Sequence, residues 1–341
     1  MAVESDESGQ KFYKVLSIDG GGIRGVFPAA FLARLQEHLD QPIASYFDLI
    51  AGTSTGGIIA LGLGLRVPIA DILRLYEQEG PRIFDQHRGP LINWMVQRAR
   101  SAKQYFCAKY DSEALRTALE NVLANKRLGD SQSRLLVPSW NAETGRVYIY
   151  KTAHHPRLES DYKRPAIDAA MATAAAPTFL APYLTRDDVE LIDGGVWANN
   201  PTGTATVEGI GMLGWPADRI KILSIGTISS PIAPPKRQGL FAMLSNNYVT
   251  QLFMAGQHHS SMGAAMILTG HPHSREAIWR VDQTAPEGRF TLDSTKRIAQ
   301  MKERGNVEAR ERLPALRQHF FDRIAAPFEP FHKLEALHET R

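Results

Sequence analysis

The sequence predicts an α/β fold built on a mostly parallel central sheet. Short apolar runs of strand length alternate along the chain with longer runs whose apolar residues recur at helical spacing. Three glycine-bearing turns each follow one of the strand-like runs. Open α/β sheets gather their ligands at such carboxyl ends of strands.

The elements follow in order. Residues 1–10 are acidic and polar and read as a loose tail. Residues 12–19 hold an apolar strand, 20–25 a glycine loop, and 26–39 a helix with Phe27, Ala30, Phe31, Leu35 and Leu39 on one stripe. Residues 46–51 read as a short buried strand and 57–65 as a buried helix. Helical patterns recur near 69–79, 91–106 and 111–125. Strand patterns cover 134–137 and 146–152, with Thr144-Gly145 as the turn signal between them. The alanine-dense run 166–176 is helical and Pro177 ends it. Residues 189–193 form a strand before Gly194-Gly195. A helix over 200–213, a strand over 220–226 and a Pro/Lys/Arg loop over 231–238 come next. The apolar, methionine-bearing run 239–268 reads as a core or dimer helix, with a lipid-facing lid as the rival reading. Two polar helices, near 294–304 and 306–324, close the chain. The expected division is a tail over 1–10, a main domain over 11–230 and a helical extension over 231–341 packed on that same domain.

Composition narrows the function. At 341 residues, 43% hydrophobic and 22% charged, the chain can bury a large core. A net charge of +3 makes no case for a nucleic-acid polymer as partner. The one cysteine, Cys107, allows no internal disulfide and no Cys-rich metal site, which fits a reducing cytoplasm. Cys107 itself reads either as a nucleophile or as a small buried hydrophobe. Residues 1–10 contain no apolar signal core, and no run of about 18 apolar residues exists. The expectation is a cytoplasmic protein that reaches any lipid from the water side, at the membrane surface.

Three motifs carry chemistry. Asp19-Gly20-Gly21-Gly22-Ile23-Arg24-Gly25 joins a strand to a helix and presents backbone N–H groups beside a positive helix terminus. It suits a phosphate or the oxyanion of a tetrahedral intermediate. Gly20, Gly22 and Gly25 also satisfy Gly-x-Gly-x-x-Gly, but a dinucleotide site needs an acidic residue at the end of the next strand, and Asp48, near the right separation, stands at the start of its strand before the serine elbow. Gly52-Thr53-Ser54-Thr55-Gly56 is a nucleophile elbow, with Ser54 lifted out of the sheet between a strand and a helix. Asp193-Gly194-Gly195 ends a later strand, where the aspartate can point into a shared cleft. A serine needs a base. That base is either Asp193 directly or one of His258, His259, His271 and His273, which follow in the α/β-hydrolase order.

Together with Ala-Ala-Ala-Pro-Thr-Phe over 174–179, these motifs resemble the patatin-like phospholipases in kind, order and separation across about residues 12–230. The resemblance implies a three-layer α/β/α fold. It also implies a phospholipase A-type lipid acyl hydrolase with a Ser54–Asp193 dyad and no histidine. Gly20, Gly21 and Gly22 would form the oxyanion hole and Arg24 would brace it, with Gly52, Gly56 and Gly194 in support. No metal or cofactor is implied. The family's third motif is often Asp-Gly-Ala, and Asp-Gly-Gly is a common variant. Size and motifs also resemble stand-alone bacterial effectors of antiphage defence. These are switched on by a cyclic dinucleotide and then degrade the phospholipids of the inner membrane. Arg82, Arg88, Arg98, Arg100, Tyr105 and Tyr110 are candidates to read such an activator, and a homodimer is compatible with the chain. A His-dependent esterase and a nucleotide-binding module using the 20–25 loop are the rival readings.

Overall fold

The computed structural model describes residues 11–84, 108–231, 248–271 and 276–335. Its centre is an eight-stranded sheet: β1 (Tyr13–Ile18), β2 (Leu49–Gly52), β3 (Arg134–Asn141), β4 (Arg146–Lys151), β5 (Tyr183–Leu184), β6 (Glu190–Asp193), β7 (Ile220–Ser229) and β8 (Ile278–Thr284). The order is β5-β6-β3-β2-β1-β7-β8, with β4 paired to β3. The run β3-β2-β1-β7-β8 is wholly parallel. β1 lies at its centre, and Val15, Leu16, Ser17 and Ile18 have no exposed surface. A strand covered on both faces reads as a continuous apolar run because neither face meets water.

Helices cover both faces. In chain order they are α1 (Val26–Gln36), α2 (Thr55–Gly64), α3 (Ile69–Arg74), α4 (Gly80–Phe84), α5 (Ser112–Leu123), α6 (Ala166–Ala174), α7 (Gly195–Ala198), α8 (Thr202–Gly211), α9 (Tyr248–Leu268) and α10 (Ile298–His319). Alternate strand residues sort to opposite layers. Leu16, Ile50, Leu135 and Leu223 pack with α1 and α2. Val15, Leu49, Leu136 and Ile222 pack with Ala205 of α8 and with Met262 and Ala265 of α9. The result is the three-layer α/β/α sandwich. Every residue of α2 is buried, which explains why its sequence is apolar all round instead of striped.

One detail of β3 builds the site. β4 pairs with Leu136–Asn141 of β3, while β2 pairs at Leu136 and β6 pairs over 139–141. A strand has two edges, so β2 and β6 must both lie on the edge opposite β4. β2 runs parallel to β3 and β6 antiparallel, so their carboxyl ends meet head-on there. Ala51 stands opposite Leu136 and Asp193 opposite Ser139.

The extension differs from expectation. It carries β8, which pairs in parallel with β7 and widens the sheet. The two polar helices expected near 294–304 and 306–324 are the single helix α10, with Pro314 inside it. α10 packs along α1. α9 is no core helix: Met262 and Ala265 are its buried apolar residues, whereas Leu252, Phe253, Ile267 and Leu268 are exposed. The expected helix near 91–106, and residues 239–247 of the expected 239–268 run, lie outside the described residues.

Candidate active site

Ser54 stands between β2 and α2 with φ 54° and ψ −123°, a conformation that non-glycine residues rarely hold and that costs energy. The surrounding chain over-determines it. A Cβ on Gly52 would lie 2.1 Å from the Gly56 carbonyl oxygen, and one on Gly56 would lie 2.2 Å from that of Ile18. The Ser54 N–H donates to Thr173 Oγ1 at 2.9 Å, and that hydroxyl donates to the Pro138 carbonyl at 2.6 Å. The elbow is therefore pinned from α6 as well as from its own strand.

The head-on meeting of β2 and β6 brings Asp193 to Ser54. Through Oδ1 the Asp193 carboxylate accepts from the Gly195 N–H at 2.7 Å, and the Ser54 hydroxyl is among the groups near enough to act on its charge. Its own N–H donates to the Ala175 carbonyl, just past α6, at 3.0 Å. Asp193 is 5% exposed. Burial pushes its carboxyl up to about 6, against the opposing pull of the Ser54 hydroxyl and the Gly195 N–H.

The glycine loop meets the same cleft, and a Cβ on Gly20 would lie 3.2 Å from that of Ser54. Its donors are not equivalent. The Gly20 N–H is already engaged, donating to the Asn199 carbonyl at 2.9 Å. That removes Gly20 from the expected oxyanion donors, because one N–H cannot serve both acceptors fully. The N–H groups of Gly21 and Gly22 meet no acceptor among the described residues. Gly22 has φ +57°, and a Cβ there would lie 2.2 Å from the Leu292 carbonyl oxygen, so both its backbone angle and its surroundings require glycine. That same carbonyl accepts the Ile23 N–H at 2.8 Å. Arg24 donates to the carbonyls of Gly21 at 3.3 Å and Ile228 at 2.9 Å. No carboxylate pairs with it among the described residues, and burial holds its guanidinium down to about 10. Asp19, at the root of the loop, is clamped by both terminal nitrogens of Arg280 from β8, at 3.0 and 2.6 Å.

A profile of patatin-like phospholipases matches residues 16–206, more than half of the chain. The chain belongs to the patatin-like phospholipase family. Among its relatives is a cGAMP-activated phospholipase of Pseudomonas aeruginosa, 38% identical over 218 residues, covering 64% of this chain and 63% of the relative. A cGAMP-activated phospholipase of Vibrio cholerae is 33% identical over 232 residues, covering 63% and 64%. Patatin-like protein 2 of Oryza sativa subsp. indica is 34% identical over 218 residues, covering 56% and 51%. The chain thus spans less than two thirds of the length of these relatives.

His258 faces Asn200 Nδ2 at 3.0 Å and Asp19 at 4.0 Å. His259 is exposed, His271 accepts the Ile278 N–H at 3.3 Å, and His273 lies outside the described residues. Among the described residues no histidine hydrogen-bonds Ser54 or Asp193. Asp48 lies at the opposite end of the sheet from the glycine loop. It accepts the Lys14 N–H at 2.9 Å and pairs with Lys11 at 3.9 Å, so it does not serve as the acidic partner of a dinucleotide loop. Tyr110 is buried and its hydroxyl donates to Asp293 at 2.8 Å, while Arg82 pairs with Glu79 on the surface. Arg88, Arg98, Arg100, Tyr105 and Cys107 lie outside the described residues. Sequence reasoning missed Thr173, Asn199 and Arg280. Thr173 left a trace, as one of two polar residues in the alanine-dense run, the other being Asp168.

Proposed function

We propose that the protein is a lipid acyl hydrolase of the phospholipase A type that works by a Ser54–Asp193 dyad. The observation that carries this reading is the head-on meeting of β2 and β6, which sets the strained Ser54 turn beside the buried carboxylate of Asp193, where the hydroxyl acts on that charge. Ser54 Oγ attacks the acyl carbonyl carbon as its proton passes to Asp193, and the carbonyl electron pair moves onto oxygen. The free N–H groups of Gly21 and Gly22 receive that oxyanion, each donor being worth roughly 10²–10³ in rate. Collapse of the intermediate expels the alcohol, which takes the proton from Asp193 and leaves the acyl group on Ser54. Water then attacks the acyl-enzyme while Asp193 accepts its proton. The second intermediate releases the fatty acid, and Ser54 recovers the proton.

Burial suits Asp193 to this role. A carboxylate near the ordinary 3.9 is a feeble base at neutral pH, and one raised to about 6 is better matched to its task. Lipid approaches from the side of α9. Phe253 stands one turn before Gln257, whose amide donates to the Val196 carbonyl at 2.7 Å, three residues beyond Asp193. Val196, Leu252 and Phe253 are all exposed there, giving an apolar rim suited to a membrane surface. The bacterial relatives named for activation by cGAMP support regulation of this chain by a cyclic dinucleotide.

The test measures fatty-acid release from phospholipid vesicles by wild type, Ser54→Ala and Asp193→Asn, with calcium chelated and cGAMP supplied. Wild type is expected to act regardless of chelation, and each variant to lose at least about 10³-fold. Retention of activity by Asp193→Asn, or its loss on substituting His258, would return the reading to a histidine triad.

A further inference from the structure

Away from the Ser54 cleft, a cavity of about 590 Å³ opens between α5, the start of α6 and the edge strand β5. Three arginines, Arg116, Arg127 and Arg186, stand in its wall, with the carboxylates of Glu120 and Asp168 and the ring of Tyr183 beside them. Asp168 is 2% exposed. Its Oδ1 accepts the Tyr183 hydroxyl at 2.7 Å, while its Oδ2 has no hydrogen-bond partner among the described residues. An unpaired buried carboxylate oxygen is costly, and it asks for an N–H donor. The Arg116 guanidinium lies 5.6 Å from the centre of the Tyr183 ring. No carboxylate pairs with Arg127 or Arg186 among the described residues. The chemistry that completes such a site is an amino-bearing base for Asp168 joined to phosphates for the arginines.

The cavity is also wired to the dyad. Asp168 sits in the first turn of α6. At the other end of that helix, Thr173 holds the Ser54 N–H and the Ala175 carbonyl holds the Asp193 N–H. Tyr183 pairs with Leu191, two residues before Asp193 on β6. Both backbone hydrogen bonds that seat the dyad thus come from one short helix whose opposite end lines the cavity. A ligand that draws in Asp168 and Tyr183 biases the placement of α6 and β6 together.

We propose that this cavity, through Asp168 Oδ2 and the arginines Arg116, Arg127 and Arg186, binds the phosphates and a purine amino group of a cyclic dinucleotide, and that its occupation resets the Ser54–Asp193 pair through α6. The proposal rests on the regulatory reading above and adds a site to it.

The test is calorimetric binding of cGAMP to the full chain, paired with its stimulation of fatty-acid release from phospholipid vesicles. Arg127 and Arg186 are exposed, so Arg127→Glu/Arg186→Glu is expected to keep the ligand-free melting temperature. It is also expected to weaken cGAMP binding by roughly 100-fold and to abolish stimulation. Arg127→Lys/Arg186→Lys, which keeps the charge but loses the forked donors, should fall between. Ser54→Ala should bind cGAMP like wild type. If charge reversal lowers the ligand-free melting temperature, Arg127→Gln/Arg186→Gln gives the same comparison. Wild-type binding and stimulation that survive in the arginine variants overturn this site alone. Absence of cGAMP binding and stimulation in wild type overturns the regulatory reading and the site with it.

Discussion

At Asp193 and Arg24 burial acts on opposite charges within one cleft. It raises the carboxyl of Asp193 to about 6 and lowers the guanidinium of Arg24 to about 10. Arg24 stays charged at neutral pH, whereas the shift at Asp193 enters the working range. In the proposed mechanism Asp193 acts as a base only when ionised, so kcat/KM should fall as pH drops through about 6 and level off above it. Its folded-state value lies above the unfolded one, so the native state holds the proton more tightly. Stability linked to this group is therefore full below about 4, is lost as pH rises through about 6, and stays lost at neutral pH. The shift corresponds to about 3 kcal/mol. Asp193→Asn removes that charge. It should be inactive and yet more resistant to denaturant than wild type at pH 7, with the gap closing toward pH 4. Equal stability of the two proteins across that window would refute the assigned burial cost.

Among the elements, α6 and β8 do most to place the chemistry. α6 anchors the backbones of Ser54 and Asp193 from one end, so the proposed catalytic pair depends on a helix that contains neither residue. β8 holds the root of the glycine loop through the Arg280–Asp19 clamp. Arg280→Ala strands the carboxylate of Asp19, which is 5% exposed. Breaking a buried pair from one side is expected to cost about 3 kcal/mol. Thermal denaturation should register that loss, with a fall in ester hydrolysis as the loop donors lose their aim. Arg280→Lys should recover only part of either, since an ammonium cannot span both oxygens.

The molecule as a whole does not divide at residue 230. Residues beyond that point supply an edge strand, the clamp on Asp19, the Leu292 carbonyl that fixes Gly22 and Ile23, and the helix that covers α1. A chain ending at residue 230 would bare the edge of β7 and the apolar face of α1. It should collect in inclusion bodies or elute as aggregate in gel filtration. A soluble, ester-hydrolysing monomer of that length would show that the extension is dispensable.

The sequence by itself determined the parts that short-range chemistry controls. The turn at Ser54 demands glycines at 52 and 56, the loop at 20–25 demands a left-handed glycine, and Asp193 ends its strand at a glycine pair; each requirement is written within a few residues. Tertiary structure decided what no local pattern encodes. β2 and β6 share one edge of β3, which brings together the strand ends that carry Ser54 and Asp193. Asn199 takes the Gly20 amide, leaving Gly21 and Gly22 free. β8 joins the sheet although Arg280 and Asp282 interrupt its apolar alternation, because Arg280 finds Asp19 across the sheet. Periodicity reports which side of an element is buried, whereas the partner it is buried against depends on contacts hundreds of residues apart.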